Sequence, residues 1–144
     1  MIYMYTLSAN SANLLTVGVG AVIPFNTINV QNRTCKNNFV AGGNTISLGK
    51  GTYRVHVNAD ILGTTAGIVT LQLLNNNVAV VGASASETAV VGATTNVGFD
   101  AIIHVNGSCN CVDNTARLQV QLQTTTATIS NINITVVQIC NGGN

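Results

Sequence analysis

Four cysteines are the residues with the widest chemical potential in this sequence. Cys109 and Cys111 flank Asn110, while Cys35 and Cys140 stand apart in the chain. Four cysteines allow three disulfide pairings, and the sequence does not choose among them. A four-thiolate zinc site usually takes its ligands as two pairs separated by about two to four residues. Here a single pair exists, with one residue between its members. We therefore expect disulfides or buried free thiols at these positions, and no metal.

The two histidines, His56 and His104, stand at polar positions of alternating segments. Either one could form a ring of three around a threefold axis and bind a metal or an anion there. A cysteine nucleophile would need a histidine placed as its base. His104 comes shortly before Cys109, but on a different kind of segment. We expect both histidines at a surface, a subunit interface or a threefold axis, without a catalytic role.

The acidic residues Asp60, Glu87, Asp100 and Asp113 form no spaced pair of the kind that hydrolyses glycosidic bonds. Asp60 and Asp113 each come at the end of a predicted strand, where calcium sites occur. Calcium takes about six to eight oxygen ligands, so turn capping is the simpler role. Phosphate-binding loops, helical zinc motifs and serine nucleophile elbows are missing from the sequence. We therefore predict no enzymatic activity, no catalytic residues and no cofactor.

The elements that position these residues show a period of two. The clearest segment is Thr52 to Ile61, where apolar residues from Tyr53 onward alternate with polar ones. Arg117 to Gln123 and Asn96 to Val105 repeat this pattern, and shorter sets occur at 69–73 and 132–136. Such alternation is typical of strands that bury one face, and the abundance of Val, Ile and Thr supports it.

Glycine and asparagine clusters separate the alternating segments. These clusters are Gly42-Gly43-Asn44, Gly49-Lys50-Gly51, Asn75-Asn76-Asn77, Gly92-Ala93 and Asn106-Gly107. Both residue types tolerate the positive φ of tight turns, so 75–77 is predicted to be a hairpin. Ser8 to Leu15 could hold at most one turn of helix. The sequence thus predicts one all-β domain over residues 1–144, with about eight to ten short strands in a sandwich or jelly roll.

Charge is scarce in this chain. Charged residues make up 6% of it, against roughly 25% in an ordinary soluble domain. Its polar surface must come from Asn, Thr, Gln and Ser, which are easier to desolvate than charged residues and suit a protein–protein interface. We therefore predict an oligomer. The five basic residues are scattered, so we expect no nucleic-acid partner.

Membrane and secretion signals are also missing. The uncharged stretch from Ile61 to Ser86 is broken by Gly63, Thr64, Thr65, Gly67, Gln72 and 75–77, so it is no transmembrane span. Met1 to Tyr5 lacks the basic region and the long apolar stretch of a signal peptide.

Residues from about Thr45 to Ile139 resemble the tumour-necrosis-factor and complement-globular-head jelly roll, in its bacterial and phage form. The matching segments are Ile46-Ser47-Leu48, Gly51 to Val55, Val69 to Leu73 with its asparagine hairpin, and Ile132 to Ile139. The upstream Val22-Ile23-Pro24-Phe25 fits the segment before the first long strand. The resemblance implies about ten strands in two antiparallel sheets and a homotrimer. It divides the chain into N-terminal strands and loops at 1–44 and a main region at 45–140. In a jelly roll the last strand lies near early segments, which makes a Cys35–Cys140 disulfide plausible.

The resemblance also suggests a function. The same head caps collagen-like filaments on spore surfaces, and related domains occur in phage structural proteins. This chain has no collagen-like stalk, which favours a free-standing structural or decoration protein on the exterior of a particle such as a phage virion. Its partners would be its own copies and a capsid, tail or spore-surface protein.

Two alternatives remain open: a spore-surface protein of the exosporium type, and an adhesion head for glycans or a host surface. A glycan-binding head would present aromatic residues on exposed loops. The candidates for that role are Phe25, Phe39, Tyr3 and Tyr5.

Overall fold

The computed structural model describes residues 5–12, 15–32, 37–106 and 116–140. Within them the regular structure is β-strand throughout. The ten strands are β1 (Thr6–Ser11), β2 (Leu15–Val17), β3 (Thr27–Asn32), β4 (Ile46–Leu48), β5 (Gly51–Leu62), β6 (Gly67–Asn75), β7 (Val78–Ala89), β8 (Thr94–Val105), β9 (Ala116–Gln123) and β10 (Ala127–Cys140).

The strands form two antiparallel sheets. One has the order β3-β1-β10-β5-β8, with β2 also paired to β10, and the other has the order β4-β9-β6-β7. From β4 onward the chain alternates between the sheets, and only the β6–β7 hairpin stays within one of them. This arrangement confirms the prediction of a ten-stranded jelly-roll sandwich.

The alternating segments form the strands that their periods predicted. Their apolar residues belong to one buried cluster between the sheets, which includes Tyr53, Val55 and Val57 of β5, Leu71 and Leu73 of β6, Leu118 and Val120 of β9, and Ile132 and Ile134 of β10. The predicted hairpin at 75–77 joins β6 to β7. Asn76 and Asn77 both have positive φ, 52° and 66°, as a tight hairpin between twisted strands requires.

The segment from Ser8 to Leu15 differs from the expectation of at most a helical turn. β1 covers Thr6–Ser11 and pairs on both sides, with β3 and with β10. Its inward residues are Leu7, Ala9 and Ser11. Leu7 is the single large apolar residue among them, since Ala9 is small and Ser11 is both small and polar. The buried face of β1 therefore carried little hydrophobic signal in the sequence.

Candidate functional site

The outer face of the six-stranded sheet carries most of the charged and imidazole side chains among the described residues. β5 contributes Arg54, His56 and Asp60, and β8 contributes Asp100 and His104. All five side chains point away from the core because they alternate with buried apolar residues. We call this surface the charged face.

Arg54 and Asp100 form the ion pair at the centre of the charged face. Nη2 of Arg54 lies 2.6 Å from Oδ2 of Asp100, and Nε of Arg54 donates to both carboxylate oxygens at 3.1 and 3.2 Å. The Arg54 hydrogen bonds, with its charge and that of His56, hold the pKa of Asp100 below its usual value. The same hydrogen bonds and the charge of Asp100 raise the pKa of Arg54. Both side chains are well exposed, so the pair orders the surface more than it stabilises the fold.

Apolar side chains flank this ion pair. Arg54 lies opposite Ile102 on β8 and opposite Val137 on β10. A depression of about 590 Å³ adjoins Arg54 on the side of Asp100 and Ile102. A second, of about 290 Å³, adjoins it on the side of His56 and Val137. The charged face therefore combines one neutralised ion pair with an exposed Ile102 and a half-buried Val137.

The two histidines lie on the charged face, exposed, as expected of surface residues, but they are not neighbours. His56 lies opposite Asp100 on one side and Thr135 on the other. His104 lies opposite Thr52, and its Nδ1 is 2.9 Å from the Thr52 hydroxyl oxygen. His56 follows Thr52 by four residues on β5, so the two histidines lie roughly 13 Å apart along the strand direction at the usual rise per residue. Each would therefore have to act separately at an interface or an axis, which stays a prediction.

Asp60 lies near the end of β5 and is part of a cross-strand contact. Its Oδ1 accepts a hydrogen bond of 3.0 Å from the side-chain amide of Asn96, directly opposite on β8. Asp113 lies outside the described residues. Among the residues described, no group of three or more His, Cys, Asp or Glu side chains is placed to hold a metal ion.

The cysteine predictions fall almost entirely outside the described part of the chain. Cys35, Cys109 and Cys111 lie outside it, and Cys140 is described only as the last residue of β10, opposite Thr52. Disulfide pairing therefore remains a prediction.

The aromatic residues that the structure describes form no exposed platform. Phe25 and Phe39, predicted as candidates for exposed loops, are each 1% exposed and pack edge to face with ring centroids 6.2 Å apart. Tyr5 is fully buried, and Tyr3 lies outside the described residues. The expectation was wrong because Phe25 and Phe39 lie on segments that fold back against each other: the Phe25 N–H donates to the carbonyl of Gly43, and the Gly42 N–H donates to that of Phe25.

Tyr53 is a buried ionisable side chain, and its contacts are structural. Its hydroxyl lies 2.9 Å from the carbonyl oxygen of Gly49 and 3.1 Å from Oδ1 of Asn37. Burial raises the pKa of Tyr53. The phenol therefore stays protonated and ties the start of β5 to the preceding turn.

Exposed aliphatic side chains form the second unusual surface feature. Ten large ones are exposed among the described residues: Val19, Val30, Val40, Ile68, Val78, Val81, Val90, Val91, Ile102 and Ile139. Val81 is 100% exposed, at a bulge in β7 where Gln72 and Leu74 of β6 pair with Ser84 and Ala79. The Gln72 side-chain amide nitrogen contacts the carbonyl oxygens of Val80 and Ala83 at 3.0 and 3.2 Å, which braces the bulge. We call the exposed Val78 and Val81 the β7 edge.

A polar cleft lies on the other sheet, away from the charged face. Thr45, Asn76, Asn77, Arg117 and Gln119 line it. The alternating pattern of Arg117 to Gln123 places Arg117 and Gln119 on the outward side of a strand. Their proximity to the asparagine hairpin depends on the pairing of β6 with β9, a long-range contact that the sequence does not reveal.

Comparison with known proteins identifies the architecture. No family model and no curated protein matches the chain. Among solved structures, the globular domain of zebrafish complement 1qA superposes with a TM-score of 0.70 at 11% identity, covering 94% of this chain and 97% of that one. Murine APRIL superposes with a TM-score of 0.71 at 8% identity, covering 95% and 100%. The fold is a tumour-necrosis-factor-like jelly roll.

This tumour-necrosis-factor-like jelly roll also resembles a viral protein. The vertex protein P5 of phage PRD1 superposes with a TM-score of 0.57 at 18% identity, covering 94% of this chain and 96% of that one. The family resemblance drawn from the sequence is therefore confirmed at the level of the fold. Among the described residues, no helix is long and apolar enough to cross a membrane.

Proposed function

We propose that this chain is a non-enzymatic, single-domain structural subunit that forms a homotrimer on the exterior of a particle, with a phage virion as the first candidate. The observation that carries the proposal is the surface of the jelly roll. Ten large aliphatic side chains of the described residues are exposed, and charged residues make up only 6% of the sequence. A surface of this kind is more stable when other copies cover part of it.

Two different exposed regions favour a ring of subunits. The charged face, with Ile102 and Val137, belongs to the six-stranded sheet, and the β7 edge belongs to the four-stranded sheet. A contact between two unlike surfaces is heterologous, and heterologous contacts close into rings such as trimers, whereas twofold dimers use one surface twice. We place the β7 edge of one subunit against the charged face of the next, so that His56, or His104, lies at the interface or near the threefold axis.

The neutralised ion pair suits this arrangement. Arg54 and Asp100 satisfy each other, so covering them leaves fewer unpaired charges than covering either alone. The edge strand β7 supplies exposed valines and free backbone groups that would otherwise invite uncontrolled pairing.

The first test is the native mass of the purified protein, measured by light scattering over a concentration series. We expect the mass of three chains throughout, and a monomer at high concentration would contradict the proposal. Val81→Asp should dissociate the trimer, since it places a charge on the β7 edge. Val19→Asp, an equal change at a valine outside both surfaces, should leave the mass unchanged.

The particle is tested separately. Gold-labelled antibodies against the protein should bind intact virions without disruption, because a decoration subunit is accessible from outside. Labelling only of disrupted virions would contradict an exterior position. Labelling of intact spores, without labelling of virions, would instead indicate a spore-surface protein. Its partner would then be a spore-coat protein and not a capsid or tail protein.

A further inference from the structure

The polar cleft on the four-stranded sheet has the size and the parts of a small ligand site. Its volume is about 370 Å³, within the range of pockets that hold a sugar-sized molecule. Among the described residues, its lining comes from three places in the chain: Thr45 before β4, Asn76 and Asn77 in the β6–β7 hairpin, and Arg117 and Gln119 on β9.

The cleft is held in shape by hydrogen bonds between these places. The backbone N–H of Asn76 donates to the carbonyl of Arg117 at 3.0 Å, and the N–H of Arg117 donates to Oδ1 of Asn76 at 3.1 Å. Across the cleft, the Gln119 side-chain amide donates to the Thr45 hydroxyl at 2.9 Å. A ligand would therefore meet walls that are already ordered, which lowers the entropy cost of binding.

Arg117 gives the cleft its charge. Its side chain is exposed, and no acidic side chain lies within ion-pair distance of it in the described part of the chain. The described acids lie elsewhere: Asp60 and Asp100 are on the charged face, and Glu87 lies opposite Val69, well along β6 from the hairpin. The planar guanidinium is therefore available, and its fork of donors matches a carboxylate.

The rest of the lining favours a sugar over a simple carboxylate. Side-chain amides and a hydroxyl supply both donors and acceptors, and sugar hydroxyl groups need both. A peptide carboxylate would use donors alone. A neutral sugar commonly stacks on an aromatic ring, and the aromatic residues of the described chain are all buried.

We propose that this cleft binds an acidic sugar, with the carboxylate on Arg117 and the ring hydroxyl groups on Asn77, Gln119 and Thr45. Uronic acids and sialic acids share this chemistry. The inference goes beyond the structural role proposed above and depends on neither the trimer nor the particle. A trimer would carry three such clefts and would bind a glycan-coated surface more tightly than one cleft alone.

The test is a titration of the full-length protein, followed by the NMR signals of backbone and side-chain amides. The probes are methyl glucuronide, the methyl α-glycoside of N-acetylneuraminic acid, methyl galactoside and sodium acetate. We expect at least one acidic sugar to shift the Asn77 and Gln119 amide signals. Methyl galactoside and acetate should bind about tenfold more weakly than that sugar.

Three variants locate the binding. Arg117→Gln should lower the affinity for the acidic sugar by about tenfold. Arg117→Lys should lower it less, because lysine keeps the positive charge but lacks the paired guanidinium donors. Lys50→Gln removes a basic side chain that does not line the cleft and should leave the affinity unchanged. The amide spectrum of each variant shows whether it is folded. Absence of binding by both acidic sugars, equal binding of acetate, or an equal loss of affinity in Lys50→Gln would each overturn the proposal.

Discussion

Gln138 binds both backbone polar groups of Tyr5. The N–H of Gln138 donates to the Tyr5 carbonyl at 2.9 Å, and the N–H of Tyr5 donates to the Gln138 side-chain oxygen at 3.0 Å. Both residues are buried, and 133 positions separate them in the sequence. A side chain thus extends the ladder between β1 and β10 by one step beyond the end of β1.

Replacing Gln138 by Met should lower the free energy of unfolding by about 1–3 kcal/mol, because the change keeps most of the volume and leaves the Tyr5 N–H buried without this acceptor. Denaturant unfolding followed by circular dichroism measures the change. Gln123→Met, the same substitution on the outward face of β9, should shift the free energy by less than about 0.5 kcal/mol. Equal effects in the two variants would show that the hydrogen bond to Tyr5 contributes little.

The ion pair of the charged face predicts a pH dependence. Because Arg54 lowers the pKa of Asp100, this carboxylate favours the folded state above the unfolded pKa of about 3.9. That contribution is lost as the pH falls through the depressed pKa of the folded state. Arg54→Gln should raise the pKa of Asp100 towards its ordinary value, which NMR titration of the side-chain carboxyl carbon measures. An unmoved Asp100 pKa would contradict the ion pair.

Gly63 has no space for a side chain. A Cβ atom there would lie 2.3 Å from the carbonyl oxygen and 2.8 Å from the carbonyl carbon of Val90, which is backbone and cannot swing aside. Gly63→Ala should therefore destabilise the protein by about 1–3 kcal/mol as the turn between β7 and β8 shifts. Gly18→Ala is the matched control, because nothing lies within 4 Å of its added Cβ. Thermal unfolding of both variants measures the difference, and similar melting temperatures would refute the close approach.

The brace of the β7 bulge predicts a local effect. Gln72→Glu keeps the shape of the side chain but replaces its donor with a carboxylate oxygen facing the carbonyls of Val80 and Ala83. We expect the amides of residues 80–83 to exchange with deuterium about tenfold faster or more, since a charged group near two carbonyl oxygens favours local opening. Gln123→Glu, which lies opposite Thr70 on the same face of β9, should leave these rates unchanged. Unchanged exchange rates in the Gln72→Glu variant would mean that the bulge is stable without the hydrogen bonds from the Gln72 side chain.

The sequence predicted those parts of the fold in which one face of a strand is buried. β5 and β9 alternate cleanly, because each lies inside a sheet with one side against the core and the other exposed. β7 does not alternate in this way: it lies at an edge, contains a bulge, and exposes residues on both sides. Local pattern therefore predicted inner strands better than this edge strand.

The surfaces were less predictable than the core. Alternation showed that Arg54 and His56 point outward, but the neighbours of those side chains depend on the register between β5 and β8. The burial of Phe25 and Phe39 depends on a contact between two loops. Both of these contacts join residues that are far apart in the sequence. The residue types therefore suggested the chemistry of each position but did not show which side chains are in contact.

β10 lies between β1 and β5 and is the strand that joins the early and middle parts of the chain into one sheet. During translation, β1 leaves the ribosome more than a hundred residues before its partner in β10 has been made. One edge of β1 and one edge of β5 therefore stay unpaired until β10 has been synthesised. Pairings between such distant segments make folding slow. The newly made chain thus passes through a period in which its apolar strands are exposed to aggregation, and a chaperone or rapid assembly with other copies would shorten that exposure.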